Sequence, residues 1–422
     1  MSEERPAPRL RTADRRQVIP SMPLEDLLDT DHQARLVWDF CSGLDLSPLL
    51  GRIRSRVGSA GHPAIDPRIC VSLWLYATLE GVGSARALAR LCSEHHAFRW
   101  LAGGVGVNHH TLADFRTAHL DFLDGLLTHS VAVLREQDLV DLNRVAIDGM
   151  RVRACAGAAS FRKKQTLEEH LAEAEEQVER LKKEMRDDPA AGSRRQAAAK
   201  ERAARERLQK LQEALRRLPE LEAKKKPDEK DKARASTTDP EATVMKMADG
   251  GYRPAYNVQF AAATDGQAIV GVSVITTGSD MGQITPMLEQ IEARTGERPG
   301  EALADGGFAK HQDVERAQAS GTTVYVPVPQ PKDATRDRHE PLQTDSETIA
   351  AWRGRMKTDE AKAIYKDRAA SVECVNAQAR NHGLIRLLVR GAGKVRAVAL
   401  WHAIAHNVRR RFSLRTEAGL AG

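Results

Sequence analysis

The sequence predicts an α/β domain built on a mixed sheet flanked by helices, preceded by an all-α domain and interrupted by a helical hairpin. Three observations lead to this prediction. Apolar residues recur at helical spacing through residues 21–142, and a very polar stretch with heptad-like leucines fills residues 161–236. Short apolar runs typical of strands lie in residues 143–160 and 237–412. We therefore divide the chain at these boundaries and treat residues 413–422 as a tail.

The composition indicates a folded, basic protein. Hydrophobic residues make up 41% of the 422 residues and charged residues 29%, which suits a globular chain that carries a polar helical element. The formal net charge is +6, and the segment from Cys374 to Thr416 contains nine lysine or arginine residues and no acidic residue. This concentration of positive charge favours an anionic partner.

The cysteines and the apolar runs of the sequence indicate in which cellular compartment the protein resides. The five cysteines show no spacing typical of zinc ligands, so we expect neither structural zinc nor a disulfide framework. The longest apolar run, Ile69 to Leu79, is about half the length of a membrane span. The arginine-rich N-terminus lacks the apolar core of a signal peptide. We therefore expect a cytoplasmic protein in a reducing environment.

The N-terminal part is predicted to be helical after a basic arm. Residues 1–20 carry five arginines against three acids and are expected to be disordered. Downstream, a glycine-rich break at residues 103–106 precedes a helix that begins at Asn108 or Thr111. A helix, a break and a second helix are compatible with a helix-turn-helix-like DNA reader in which Arg116 contacts DNA, and equally with an ordinary helical bundle.

The polar stretch at residues 161–236 predicts a helical hairpin. Apolar residues recur every three or four positions in two arms, on either side of a break at residues 187–193 that contains proline and glycine. The arms pack on each other or on another subunit, and a surface spacer is the alternative. Residues 224–232 form a charged linker to the segment that follows.

Three acids point to a metal site. The runs 145–149 and 302–307 are apolar and contain an Asp-Gly pair, so as strands they present Asp148 and Asp305 at their exposed carboxyl ends. Glu373 lies in a strongly helical stretch. Oxygen ligands from such rigid elements are what a hard divalent cation needs. Each acid alone is more simply explained by a turn or a solvated helix position.

The order of the predicted elements supports the convergence of these acids. Three strands, a helix, a strand, a helix, a strand and a helix follow one another, which is the order of an RNase H-like domain with the hairpin inserted after its first strand. In that arrangement the first and fourth strands are neighbours, so Asp148 and Asp305 would meet. Asp280, at a strand-to-helix turn, is the rival acid, with a helix N-cap as its alternative role.

A series of short motifs carries a resemblance to a known family. In chain order they are Gly81-Val-Gly-Ser-Ala-Arg86, Phe98-Arg-Trp-Leu101, His110-Thr-Leu-Ala-Asp-Phe-Arg116, Val145-Ala-Ile-Asp-Gly149, Thr238-Asp-Pro-Glu-Ala242, Tyr256-Asn-Val-Gln259, Leu303-Ala-Asp-Gly-Gly307 and Val372-Glu373. With these motifs the chain resembles bacterial insertion-sequence transposases of the DDE class, in the subgroup with a helical N-terminal domain. The resemblance extends over nearly the whole chain.

The resemblance implies a catalytic triad of Asp148, Asp305 and Glu373 that also holds the metal. It further implies two Mg²⁺ ions per site, with Mn²⁺ as a substitute. In such a site one ion activates the nucleophile and the other stabilises the leaving oxygen. Water would free a 3′-OH at the end of the element, and that hydroxyl would attack target DNA. The implied partners are double-stranded DNA, as terminal inverted repeats and target, and at least one second copy of the chain.

Further residues follow from the same resemblance and from charge. Tyr365, Arg368 and Arg380 resemble the family's Tyr/Arg/Glu/Lys signature, with two departures: one additional residue separates Arg368 from Glu373, and arginine replaces lysine at position 380. The further candidates for phosphate contacts, with solvated surface as their alternative, are Arg151, Arg153, Arg409, Arg410 and Arg411.

Two other functions remain open on the sequence alone. A stand-alone metal-dependent nuclease of the same fold would cut DNA without joining ends. A DNA-binding relic of a transposase would bind without cutting.

Overall fold

The computed structural model describes residues 22–55, 63–187, 194–331, 333 and 335–419. The basic arm predicted at residues 1–20 therefore lies outside the described residues. Within the described ranges, no helix is both long enough and apolar enough to cross a membrane.

The N-terminal region is helical, as predicted. Its helices are α1 (Gln33–Ser42), α2 (Ser47–Leu50), α3 (Pro67–Leu79), α4 (Ala85–Glu94), α5 (His96–Ala102), α6 (His109–Ala118) and α7 (Leu120–Glu136). Side chains start several of them, because the first amide groups of a helix have no partner within it. Ser84 caps α4, and Asn108 caps α6. The apolar α3 is buried along nearly its whole length and forms the centre of this region.

A mixed sheet forms the second part of the fold. Its strands are β1 (Arg144–Arg153), β4 (Thr243–Lys246), β5 (Tyr252–Ala263), β6 (Ile269–Ile275), β7 (Glu301–Ala304) and β8 (Thr323–Tyr325), while β2 (Phe161–Arg162) and β3 (Ala235–Ser236) form a separate pair. β5 pairs antiparallel with β1 on one side and with β6 and β4 on the other. β7 pairs parallel with β1, and β8 parallel with β7.

This pairing confirms that the strands carrying the two aspartates are neighbours. Ile147 on β1 lies opposite Ala304 on β7, so Asp148 and Asp305 each follow the last residue of the pairing between these two strands. The buried residues Val145 and Ile147, and Leu303 on β7, hold the two strands in the core.

Helices cover the sheet. They are α10 (Ile284–Thr295), α11 (His311–Ala319), α12 (Glu347–Lys357), α13 (Asp359–Arg368), α14 (Cys374–Asn381) and α15 (Ala392–Glu417), with a π turn (Ala369–Glu373) between α13 and α14. α15 packs against α3, α7 and β6, and so joins the helical region to the sheet. On α15, Asn407 donates to the Ile269 carbonyl (2.8 Å) and to Ser130 on α7 (3.1 Å). One hydrophobic core consequently runs through both parts.

The insertion consists of two long helices, α8 (Lys164–Asp187) and α9 (Arg194–Ala223). They pack on each other through a small core of their own that includes Leu167, Ala174 and Leu211. Packing between the two arms within one chain therefore accounts for the heptad-like stripe. At the base of the hairpin the buried Arg217 donates to the Pro240 carbonyl (2.6 Å), which ties α9 to the segment after the insertion.

Two buried histidines on α15 should make the fold sensitive to acid. Burial lowers the pKa of His402 to about 3 and that of His406 to about 4. In the unfolded chain a histidine pKa lies near 6.5. As the pH falls, the unfolded state therefore binds protons at these histidines before the folded state does. The free energy of unfolding is unaffected by them above about pH 7 and decreases as the pH falls toward 4. At pH 5 each histidine should lower the free energy of unfolding by about 2 kcal/mol.

Urea unfolding at pH 7.5 and pH 5 measures this effect. The free energy of unfolding should differ less between the two pH values in His402→Gln than in the parent, by the amount that one buried histidine contributes. The matched change His96→Gln, at an exposed position, should leave that difference as it is in the parent. An equal difference in the His402→Gln variant and the parent would contradict the assignment.

Candidate active site

Asp148 was expected at the exposed carboxyl end of its strand, but β1 continues to Arg153 through its pairing with β5. Asp148 therefore lies in the middle of β1, half-buried, at the point where pairing with β7 stops. Its Oδ1 accepts from the Gly149 amide (2.9 Å), and its Oδ2 accepts from Asn376 Nδ2 (3.0 Å). A guanidinium nitrogen of Arg368 is 3.8 Å from the same Oδ2. Burial raises the pKa of Asp148, the positive charge of Arg368 opposes this shift, and the negative charge of Asp305 adds to it. The half-buried carboxylate therefore favours a nearby cation.

Asp305 follows β7 directly and caps a short 3₁₀ turn, Gly306–Phe308. One carboxylate oxygen, Oδ1, accepts from the Gly307 amide (2.8 Å). This bond fixes the carboxyl group at the end of its strand, and the turn chemistry of Asp-Gly-Gly explains why the chain bends there. Because Asp305 contributes to the raised pKa of Asp148, the two carboxylates act on each other electrostatically, as their strand positions predicted.

Glu373 closes the π turn and is exposed. It forms an ion pair with Arg368, whose guanidinium carbon lies 5.7 Å from the centre of the Tyr365 ring. Arg368 thus stands between Asp148 and Glu373. A π turn contains one residue more than an α-helical turn. It therefore accommodates the additional residue between Arg368 and Glu373, and the two side chains meet despite the longer spacing.

The donor chemistry of this cluster fits a divalent cation. Asp148, Asp305 and Glu373 offer carboxylate oxygens, and the buried Asn376 adds an amide oxygen, Oδ1, that has no hydrogen-bond partner. The geometry is not that of a closed metal cage. In the part of the chain that the structure describes, no three His, Cys, Asp or Glu side chains are grouped closely enough to hold a metal ion.

Asn376 is a site residue that the sequence analysis missed. It lies on α14, three positions after Glu373, so it is on the same side of the helix as the glutamate. That spacing was the available signal. The buried amide group holds Asp148 in place by donating to Oδ2, and this bond opposes the rise in the pKa of the carboxyl group.

Asp280, the rival acid, belongs to a different cluster. The register of β1 and β5 places Gly149, Arg151, Asn257 and Gln259 on the face of the sheet opposite to the Asp148 side chain. Asp280 accepts from the amide groups of Asn257 (2.6 Å) and Gln259 (2.8 Å), and lies 3.6 Å from Arg151. It does not cap α10 either, because the Asp313 carboxylate accepts from the first amides of that helix.

The candidate DNA-contacting arginines fall into two groups. Arg153 and Arg380 are exposed, whereas Arg151 also donates to the Gly278 carbonyl (2.7 Å) and is half-buried. Exposure leaves the guanidinium groups of Arg153 and Arg380 accessible to an anionic partner.

The three consecutive arginines on α15 do not share a face. Arg409 contacts His382 (2.6 Å), Arg410 donates to the Gly266 carbonyl (3.0 Å), and Arg411 donates to Gln137 (3.3 Å). All three arginines are half-buried. Consecutive helical residues point about 100° apart, so the structure uses them in three directions and does not bring them together as one basic patch.

Arg116 lies in the core, where only 7% of it is exposed. Its guanidinium donates to the Gly83 carbonyl (2.6 Å) and stacks 4.6 Å from the centre of the Trp74 ring. Burial lowers the pKa of its guanidinium to about 10. This placement corrects the expectation of a DNA contact: Arg116 joins α6 to the α3–α4 connection instead.

Comparison with known families finds matches for two parts of the chain. Residues 22–118 match the family model described as Transposase domain (DUF772), and residues 331–412 match the model described as Transposase DDE domain. The second match includes Glu373 but neither aspartate. No curated protein and no solved structure was found to match the chain. The two family matches confirm the resemblance to insertion-sequence DDE transposases that the motifs indicated.

Gly149 should be required because the side chains around Asp280 leave no space for a Cβ atom at this position. A Cβ atom at Gly149 would lie 2.5 Å from an Asp280 carboxylate oxygen and 2.7 Å from the Asn257 amide oxygen. Gly149→Ala should therefore lower the free energy of unfolding by about 1–3 kcal/mol. In the matched control Gly354→Ala, the new methyl group meets nothing within 4 Å. Denaturant unfolding of both variants provides the measurement, and equal stability would argue against the clash.

The π turn should be removable without loss of the helix register. Deleting the exposed Ala369 converts the turn to α-helix and should lower the free energy of unfolding by less than about 1 kcal/mol. Deleting the exposed Ala377 instead rotates Gln378 and His382 away from Arg409, and should cost roughly 3 kcal/mol or more. Thermal unfolding of both deletion variants compares them, and a more damaging deletion at Ala369 would contradict this role for the π turn.

Proposed function

We propose that the chain is a DNA transposase that binds the terminal repeats of an insertion sequence, cuts DNA at these ends and joins them to target DNA. The observation that carries the proposal is the cluster of Asp148, Asp305, Arg368 and Glu373. Its two aspartates come from neighbouring parallel strands, and its glutamate comes from the region that matches a transposase DDE domain.

The topology of the sheet supports an RNase H-like catalytic domain. Three parallel strands in the order β1, β7, β8 continue into the antiparallel β5 and β6, with helices between the later strands. Apart from β4 and the short pair of β2 and β3, this is the order that the sequence elements predicted, with α8 and α9 inserted after the first strand. The insertion leaves β1 and β7 adjacent, so it does not disturb the place where the acids meet.

Each residue has a role in this proposal. Asp148, Asp305 and Glu373 would hold Mg²⁺ or Mn²⁺, two ions per site by resemblance to the family. When bound, such ions supply the positive charge that activates a nucleophile and stabilises the leaving oxygen at the scissile phosphate. Asn376 orients Asp148. Arg368, stacked near Tyr365, now neutralises Asp148 and Glu373. When a metal ion binds these acids instead, the guanidinium group would be able to pair with a phosphate oxygen.

Double-stranded DNA is the proposed partner. Arg153 and Arg380 are exposed cations, and α14 and all of α15 except its last residue, Glu417, lie in the stretch that contains no acidic residue. We propose phosphate contacts for these two arginines, and a weaker one for the half-buried Arg151. Transposition brings two DNA ends together, so at least two copies of the chain would act on them.

Strand cleavage of duplexes that carry the element's own terminal repeats tests the proposal. With Mg²⁺ or Mn²⁺, the parent protein should cut at the repeat ends. Asp305→Asn should lower the rate more than about a hundredfold, since even residues that only support a metal ligand are worth about 10–100-fold. The matched control Asp228→Asn changes an exposed carboxylate in the linker and should cut like the parent.

The products separate the alternatives. Joined ends would establish a transposase. Cleavage without joining under any condition would identify a nuclease. Binding without cleavage, equal in the parent and Asp305→Asn, would refute the catalytic proposal and leave a DNA-binding relic.

A further inference from the structure

One side chain bridges the acids of the candidate site. Arg368, the last residue of α13, forms an ion pair with Glu373 through Nη2, and its Nη1 lies 3.8 Å from Asp148 Oδ2. Only 14% of the Arg368 side chain is exposed, so solvent screens these charges less than at an open surface. The carboxylate oxygens that Arg368 contacts are the ligands that a hard divalent cation requires. Arg368 and a metal ion therefore compete for the same acids.

The backbone at Arg368 is tied to the strands that carry the aspartates. Asp367, the residue before it, accepts from Arg144 Nη1 (2.6 Å), and Arg144 also forms an ion pair with Glu301. Arg144 begins β1 and Glu301 begins β7. The Ser371 hydroxyl donates to the Asp367 carbonyl (2.7 Å), which ties the π turn to the end of α13. A change of partner by Arg368 therefore involves its flexible side chain, while its backbone stays in position.

The other groups that bind Asp148 are neutral. The Gly149 amide donates to Oδ1, and the Asn376 side chain, which is buried, donates to Oδ2. Within the described residues, the only ion pair of Asp148 is the one with Arg368. At 3.8 Å this contact is also longer than a hydrogen bond. Another cation can therefore replace Arg368 while Gly149 and Asn376 keep the carboxylate oriented.

Charge decides which partners Arg368 can have together. A divalent cation held by Asp148 and Glu373 repels the guanidinium group, because both are positive and lie close to each other. A phosphate group attracts the guanidinium group, since the two form paired, charge-assisted hydrogen bonds. A metal ion at the acids and a phosphate beside them consequently favour each other through the side chain of Arg368.

We propose that Arg368 couples the binding of metal ions to the binding of DNA. This inference rests on the function proposed above. Without DNA, Arg368 stays paired with Asp148 and Glu373 and weakens the affinity of the acids for Mg²⁺ and Mn²⁺. A phosphate of bound DNA takes over the guanidinium group and frees the carboxylate oxygens. Because such coupling is reciprocal, the metal ion raises the affinity for DNA by the same factor.

The direction of the effect distinguishes this role from that of a supporting residue. Loss of a side chain that orients a metal ligand weakens metal binding by about 10–100-fold. Asn376→Ala should behave in this way, because Asn376 orients Asp148. Arg368→Gln should do the opposite and strengthen metal binding without DNA by about tenfold, a usual size for coupling between two ligands. Arg368→Lys, which keeps the charge, should bind metal nearly like the parent.

Electron paramagnetic resonance of Mn²⁺ measures this affinity without any reaction. The ion alone is titrated into the full chain after treatment with a chelator, and binding that Asp305→Asn removes is assigned to the acids. Arg368→Gln should bind Mn²⁺ about tenfold more tightly than the parent. The matched control Arg202→Gln, which removes an exposed positive charge on α9, should bind like the parent. Equal or weaker binding by Arg368→Gln would overturn the coupling.

A nicked duplex supplies the phosphate without a reaction. It carries a terminal repeat, keeps the 5′-phosphate at the cleaved bond and lacks the 3′-hydroxyl, and a matched duplex lacks the phosphate as well. The phosphate should raise the Mn²⁺ affinity of the parent more than that of Arg368→Gln, by about the factor that the variant gains without DNA. Equal gains in the two proteins would mean that the phosphate acts only as a direct metal ligand, and would overturn the coupling.

Thermal unfolding confirms that each variant is folded. If the parent binds and cuts terminal repeats but Arg368→Gln has the Mn²⁺ affinity of the parent, the coupling alone is wrong. If the parent binds neither terminal repeats nor Mn²⁺ at the acids, the proposed function and the coupling are wrong together.

Discussion

The structure depends on accommodating the half-buried carboxylate of Asp148 beside a second one. Burial and Asp305 both oppose its charge, and Arg368 offsets them. The neighbouring elements serve this arrangement. β7 delivers Asp305, the π turn lets Arg368 and Glu373 meet, and α14 supplies Asn376. Removing the cation from such a cluster leaves unbalanced negative charge, which favours protonation of a carboxylate or the binding of another cation.

The acids are held in position by packing that comes from both ends of the chain. α15 lies against α3 and α7 on one side and β6 on the other, and Trp401 donates to the Arg116 carbonyl on α6 (3.0 Å). The buried Arg116 in turn donates to the Gly83 carbonyl in the connection between α3 and α4. The N-terminal helices therefore share a core with the sheet and support the edge that carries the candidate acids.

Local patterns predicted the elements that local chemistry determines. The apolar run before Asp305 marked the end of its strand, whereas β1 continues past Asp148 to Arg153. Helical spacing gave the N-terminal helices and the hairpin arms. Local patterns could not predict features that depend on packing between distant elements. Arg116 was expected to contact DNA from the helix that follows the glycine-rich break, yet it stacks on Trp74 of α3. Arg409, Arg410 and Arg411 read as one basic cluster although helical rotation separates them. The additional residue before Glu373 looked like a departure until the π turn accommodated it.

The central strand also fixes the distance between Asp148 and the end of β1. An extended strand has a nearly fixed rise per residue, and β1 is paired on both edges at different points along its length. Asp148 and Arg153 therefore cannot change their separation without breaking backbone hydrogen bonds. Because β5 pairs with β1 from residue 145 to residue 153, it stiffens this spacing along the whole distance.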